Sequence, residues 1–387
     1  MAGIAAVDLR PRPTRSRPDY VLIGIVGVLS VLGLVMILSA SGPRLEAAGI
    51  ARSQQMVRQA FFVAIGIGVF IAGSVISDRN WRMLSPVAYI GSMVLLVAVL
   101  SPLGALRQGA QRWISLGVID LQPSEVAKVA VILAVALILS PTEENRMPWL
   151  QIAKVAGVVV VPSFLIFVQP DLGTMLVFGF VTIVMLFVAG TTLRQLILLL
   201  VLAIMALLLA VELGILHDYQ VERLTGFLNP GEQTLSINYN QNQSQIAIAN
   251  GGMFGRGIGE GSQTNLSFVP SQSTDFIFTA IAEQLGFVGG SIVIGLYAIL
   301  IWRMLMIAGL ARNRFGQLTA TGVAAMFGFH VFVNIGMAVG LLPVTGLPLP
   351  FLSFGGSFYL AMMLSVGIVN SIWTTRNRMP GERGLAR

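Results

Sequence analysis

The stretch Pro270-Ser271-Gln272-Ser273-Thr274-Asp275-Phe276-Ile277-Phe278-Thr279-Ala280-Ile281-Ala282-Glu283-Gln284-Leu285-Gly286 decides how this chain must be read. A polar loop turns into an apolar segment that continues to about residue 302, long enough to cross a bilayer. Asp275 stands at the entry. Glu283 follows about two helical turns later and so shares nearly the same helix face. Carboxylates on a membrane-entering helix are costly unless they face protein, water or a ligand. This corner is the first candidate site. Thr274 or Asp275 is also an N-cap candidate, which would explain one polar residue but not Glu283.

Composition supports the membrane reading. Of 387 residues, 55% are hydrophobic and 11% charged, with mean hydropathy +0.83; soluble domains carry about 25% charged residues. The net charge of +7 does not indicate nucleic acid, because no basic run is interleaved with stacking aromatics. Arginines collecting beside spans account for it. There are no cysteines, so thiol nucleophiles, disulfides and cysteine-ligated metals are excluded. The two histidines, His217 and His330, are too few for a His-rich metal site.

Ten apolar segments of spanning length are expected, at 20–40, 58–77, 83–101, 122–140, 149–168, 172–190, 193–216, 275–302, 318–342 and 351–374. The fold class is therefore an all-α polytopic membrane protein of about ten transmembrane helices. Gln169-Pro170-Asp171 divides the fifth span from the sixth. Residues 1–18 read as a disordered basic cytoplasmic tail, 19–375 as one transmembrane domain, and 376–387 as a second cytoplasmic tail. With both termini inside, fifteen arginines fall in inside segments and seven in outside ones. The loop 217–274 is then extracytoplasmic. Its Gln, Asn, Ser and Gly content is broken by Tyr239, Ile246, Met253 and Phe254, which predicts short amphipathic helices.

Further polar residues fall at membrane depth. Pro123 opens a helix on which Glu125 and Lys128 stand at i and i+3, in reach of each other. They are a functional pair or a structural bridge. Asp171 is a cap or a functional acid. The glycine run Gly251–Gly261 lacks the dinucleotide spacing and reads as a close backbone turn against other helices. Leu342-Pro343-Val344-Thr345-Gly346-Leu347-Pro348-Leu349-Pro350-Phe351-Leu352-Ser353 cannot be a regular helix. Irregular backbone at that depth lines a site or packs inside protein, so Ser353 and nearby Asn334 join the candidates. His330, one turn before Asn334, reads as a packed helix residue.

Four ordered blocks resemble the SEDS family (shape, elongation, division and sporulation), in its RodA-like rather than FtsW-like branch. They are Gly109-Ala110-Gln111-Arg112-Trp113 with Gln122-Pro123-Ser124-Glu125-Val126-Ala127-Lys128; Gln169-Pro170-Asp171-Leu172-Gly173-Thr174; Arg223-Leu224-Thr225-Gly226-Phe227-Leu228-Asn229-Pro230 followed by Gln243-Ser244 and the glycine run; and Thr274-Asp275-Phe276 with the proline stretch. The resemblance implies a peptidoglycan glycosyltransferase that polymerises lipid II outside the cytoplasmic membrane for cell elongation and rod shape. It also implies a class B penicillin-binding protein as partner. Asp275 matches the family's essential aspartate, and Glu125 with Lys128 its intramembrane acid and base. The common Pro-Glu-x-His-Thr-Asp-Phe is Pro270-Ser271-Gln272-Ser273-Thr274-Asp275-Phe276 here, with serine in place of the acid and the histidine.

On this reading Asp275 is the general base. Arg112, Arg223 and Arg256 are candidates to hold diphosphates. A Mg²⁺ or Mn²⁺ ion at Asp275 would suit a carboxylate beside a diphosphate. The alternatives are a lipid II flippase, which needs polar access from both faces, and a non-catalytic scaffold for the penicillin-binding protein.

Overall fold

The computed structural model describes residues 17–107, 110–115, 117, 120–141, 147–214 and 237–376. Among them are ten helices of 17 to 33 residues. They are α1 (Tyr20–Ala47), α2 (Gln54–Val75), α3 (Asp78–Val99), α4 (Pro123–Leu139), α5 (Trp149–Val168), α6 (Leu172–Val188), α7 (Leu193–Glu212), α10 (Ile277–Gly309), α11 (Arg314–Ala338) and α12 (Gly356–Thr375). Each matches one predicted span, with ends shifted by up to seven residues. Eight are long and apolar enough to cross a membrane. The other two, α4 and α6, have 17 residues each.

Local chemistry sets the boundaries. Asp19 caps α1 by accepting from the Leu22 amide at 3.0 Å. Asp171 caps α6 by accepting from the Thr174 amide at 3.2 Å and hydroxyl at 2.9 Å. The break between α5 and α6 therefore falls at Gln169-Pro170-Asp171, as predicted.

Burial sorts the helices into an inner and an outer set. On α4 the apolar residues run all round the helix and nearly all are buried, the pattern of a central helix. It packs against α3, α5, α6 and α11. Likewise α11 is buried over most of its length between α4, α6, α10 and α12. In contrast α7 exposes Leu198, Leu202, Met205, Leu208 and Leu209, a surface suited to lipid rather than water. Helices α2 and α12 approach until Gly73 meets Gly367; a Cβ on Gly367 would lie 2.6 Å from the Phe70 carbonyl oxygen. Small residues allow such crossings where lipid removes the hydrophobic drive for association.

Two smaller features accompany the long helices. Between α3 and α4 lies a small antiparallel sheet in the order β1 (Gly104–Arg107), β2 (Ala110–Ser115), β3 (Asp120–Leu121). Strands of two to six residues leave almost no periodic signal beside apolar spans. The loop 217–274 also holds α8 (Ile237–Gly251) and the one-turn α9 (Ser262–Asn265), in keeping with the short helices expected there. Most of the basic tail, His217 and Arg223 lie outside the described residues.

Candidate active site

The site is built where the segment before α10 meets the irregular segment between α11 and α12. Residues 339–355 form no helix, because Pro343, Pro348 and Pro350 lack the N–H groups a helix needs. Side chains and backbone of the neighbouring segments satisfy the resulting polar groups. The Asn334 amide donates to the carbonyls of Asp275 and Leu347, both at 2.7 Å. The Ser353 hydroxyl donates to the Thr274 carbonyl at 2.5 Å and accepts from the Leu349 amide at 2.8 Å. The Phe354 amide donates to the Ser273 carbonyl at 2.8 Å. Asn334 and Ser353 thus hold the backbone on which Asp275 stands.

Asp275 itself is half-buried. The N-cap position of α10 falls on Phe276, whose side chain makes no capping hydrogen bond. Thr274 and Asp275 thus precede the N-cap position rather than occupy it. Gly346 sits beside the carboxylate: a Cβ there would lie 3.5 Å from Asp275 Oδ2. Asp275 is therefore a half-buried carboxylate on a braced, non-helical turn, with Gly346 beside it.

Glu283 has hydrogen-bond partners of its own. Its carboxylate is fully buried and accepts from the Gln263 amide at 2.8 Å, the Thr264 amide at 3.0 Å and the Thr264 hydroxyl at 2.7 Å. The expected acid pair is thus divided. Helix periodicity placed the two on one face, but the fold of the preceding loop supplies Glu283 with its own donors. The glycine run has the plain role foreseen for it. Gly286 adopts φ +69°, ψ −168° within α10, and the loop hydrogen-bonds onto that kink through Arg256 N to Glu283 O (3.0 Å) and Phe287 N to Gly252 O (2.9 Å). A Cβ on Gly255 would lie 2.1 Å from the Gln284 carbonyl oxygen.

Beneath the proline segment lies a buried polar chain. Lys128 Nζ is 2.8 Å from Glu125 Oε2, with both side chains less than 5% exposed. It is also 3.1 Å from His330 Nε2, and His330 Nδ1 is 3.1 Å from the Pro348 carbonyl oxygen. The Glu125–Lys128 pairing expected from spacing is present. The role of His330 was missed: it is buried, but hydrogen-bonded at both nitrogens. The available signal was its position four residues before Asn334 on one helix.

The arginines are occupied locally. Arg112 on β2 donates Nε–H to the Gln169 carbonyl at 2.8 Å and Nη2–H to the Pro170 carbonyl, closing the C-terminus of α5. Arg256 donates to the carbonyl and side-chain oxygens of Asn250, both at 2.7 Å. Neither points these hydrogen bonds at Asp275. Spacing could not show that carbonyls at helix ends would take these guanidiniums.

A profile of the family FtsW/RodA/SpoVE, described as cell cycle protein, matches residues 19–378. Peptidoglycan glycosyltransferase MrdB of Escherichia coli K12 is 38% identical over 362 residues, covering 93% of this chain and 95% of that protein. A chain of a peptidoglycan synthase complex, solved in a study of how polymerization and crosslinking are coordinated, superposes with TM-score 0.77 at 30% identity, covering 94% of this chain and 99% of its own. Rod shape determining protein RodA of Thermus thermophilus superposes with TM-score 0.68 at 29% identity, covering 93% and 97%.

Proposed function

This chain belongs to the FtsW/RodA/SpoVE family of cell cycle proteins, and from that membership we propose that it is a multi-pass membrane peptidoglycan glycosyltransferase that polymerises lipid II, with Asp275 as its general base. Family membership supports the activity. The observation that supports the residue is the braced turn: a half-buried carboxylate whose backbone is held by Asn334 and flanked by Ser353 and Gly346.

The chemistry asked of the site is one displacement. An acceptor sugar hydroxyl attacks the anomeric carbon of the donor. Its proton passes to the Asp275 carboxylate, the new O–C bond forms, and the bond from that carbon to the diphosphate oxygen breaks. A positioned base contributes about 10²- to 10⁴-fold to such a step. Burial on one side keeps the carboxylate oriented, and exposure on the other admits the acceptor. The serines at 271 and 273 leave Asp275 as the acid of this turn.

Among the described residues no three His, Asp or Glu side chains gather to cage a metal ion. A Mg²⁺ or Mn²⁺ ion carried in on a diphosphate needs only one or two protein carboxylates; Asp275 offers one, and the ion would neutralise phosphate charge. Both termini are read as cytoplasmic, with the site on the outer side of a bacterial cytoplasmic membrane. A class B penicillin-binding protein is the proposed transpeptidase partner, supported by the likeness to a chain of a peptidoglycan synthase complex. A role in elongation and rod shape is supported by the likeness to RodA.

The test uses purified full-length chain with its cognate penicillin-binding protein and labelled lipid II. Wild type is expected to form glycan ladders and folded Asp275→Asn none. Ladders from the variant would remove Asp275 as base. Ladders from neither, with both folded and partner-bound, would favour the flippase or scaffold.

A further inference from the structure

Building on the reading of Asp275 as base, we propose that His330 is a positioning residue for it: a neutral imidazole that couples the buried Glu125–Lys128 pair to the proline segment against which Asp275 is braced. The hydrogen bonds define its form. An ammonium has only donors, so His330 Nε2, 3.1 Å from Lys128 Nζ, must accept. A carbonyl oxygen only accepts, so Nδ1, 3.1 Å from Pro348 O, must carry the proton. A single neutral tautomer meets both demands. An imidazolium would meet only the second and would place two cations together.

The position of the link gives it its function. Pro348 has no N–H, so its carbonyl is its one backbone hydrogen-bonding handle. His330 holds that carbonyl; Asn334, one turn further along α11, holds the adjacent Leu347 carbonyl together with that of Asp275. Gly346, next in the chain, flanks the Asp275 carboxylate. Two side chains of one helix therefore fix consecutive residues of the segment beside the base. Lys128 in turn fixes His330, and the Phe358 ring closes the pocket at 5.0 Å from the imidazole and 5.2 Å from Nζ. The ammonium, buried and spent on Glu125 and His330, acts through the imidazole and not on substrate.

Steady-state polymerisation of lipid II by the full chain with its cognate partner tests this, with rates expressed per folded enzyme. His330→Leu is expected to lower kcat about tenfold to a hundredfold, as small displacements of reacting groups do, with KM changed less than about twofold. His330→Gln, which keeps an uncharged acceptor and donor at its tip, is expected to retain at least half of kcat. Glu125→Gln/Lys128→Met leaves no unpaired charge and is expected to show a similar kcat loss. Adding His330→Leu to it should lower kcat no further, because groups acting in series are not additive. Unchanged kcat in His330→Leu, a change in KM alone, failure of Gln to restore, or losses that multiply would each overturn the proposal. If His330→Leu does not fold, His330→Asn replaces it; too short to reach Lys128, it should lose kcat likewise, and wild-type kcat there would overturn the proposal. Asp275→Asn, run in parallel, separates the two ideas. An active Asp275→Asn sinks the base itself, whereas an inactive one beside a fully active His330→Leu sinks only the coupling.

Discussion

Asn334 on α11 donates its side-chain amide to the backbone carbonyl of Asp275 at 2.7 Å across 59 residues of sequence. The same nitrogen holds the Leu347 carbonyl at 2.7 Å. One amide thus ties the turn that carries the acid to the proline segment that faces it. The turn that carries the acid is thus held from a helix distant in sequence.

Asn334→Leu should therefore leave two buried carbonyls without this donor, at a cost of about 1–3 kcal/mol for each unsatisfied group. Both the midpoint of thermal unfolding in detergent and kcat per folded enzyme are expected to fall. Asn334→Asp should be worse, since a carboxylate would face two acceptors. A variant stable and active at wild-type levels would show that the turn is braced by Ser353 and Phe354 alone.

Glu283, satisfied by donors of its own, should separate from Asp275 in experiment. Glu283→Gln replaces one acceptor oxygen with a donor opposite groups that already donate. Expected is a loss of about 1–3 kcal/mol in stability, with kcat per folded enzyme little changed. A folded variant with no activity would restore Glu283 to the chemistry.

The buried pair yields a stability cycle. Lys128→Met strands the Glu125 carboxylate, and Glu125→Gln strands the ammonium; breaking a buried pair costs about 3–5 kcal/mol. The double variant strands neither charge and should unfold at a higher temperature than either single one. Thermal unfolding of the four forms checks this. Additive losses would mean that the two groups are stabilised by other partners.

The kink in α10 gives the sharpest steric prediction. A Cβ on Gly286 would lie 2.3 Å from the Gly255 amide nitrogen, at a φ of +69° that side chains rarely adopt. Gly286→Ala should displace the glycine run and sharply reduce the yield of monodisperse protein. Gly157→Ala, where nothing lies within 4 Å of the added carbon, should be neutral and is the control. Equal yields would contradict the packing described for Gly251–Gly261.

The sequence by itself determined the elements whose cause is local. Ten apolar stretches become ten helices because each must satisfy its own backbone in lipid. Asp171 caps α6 because a short acid before a helix meets bare N–H groups. The prolines from 343 to 350 forbid a helix wherever they stand. The Glu125–Lys128 pair follows from a spacing of three on one helix. Asp275 stood out because an acid at a span's entry demands a partner or a purpose. Tertiary structure decided what those polar residues meet. Glu283, which periodicity put on one face with Asp275, is satisfied by Gln263 and Thr264, which periodicity cannot place. Arg112 and Arg256 hydrogen-bond to the backbone carbonyls of Gln169 and Asn250. His330, read as a packed helix residue, joins Lys128 to Pro348 across 202 and 18 residues of chain. Hydrogen bonds over such separations depend on how helices pack, and a single sequence carries no record of that geometry until the chain is folded.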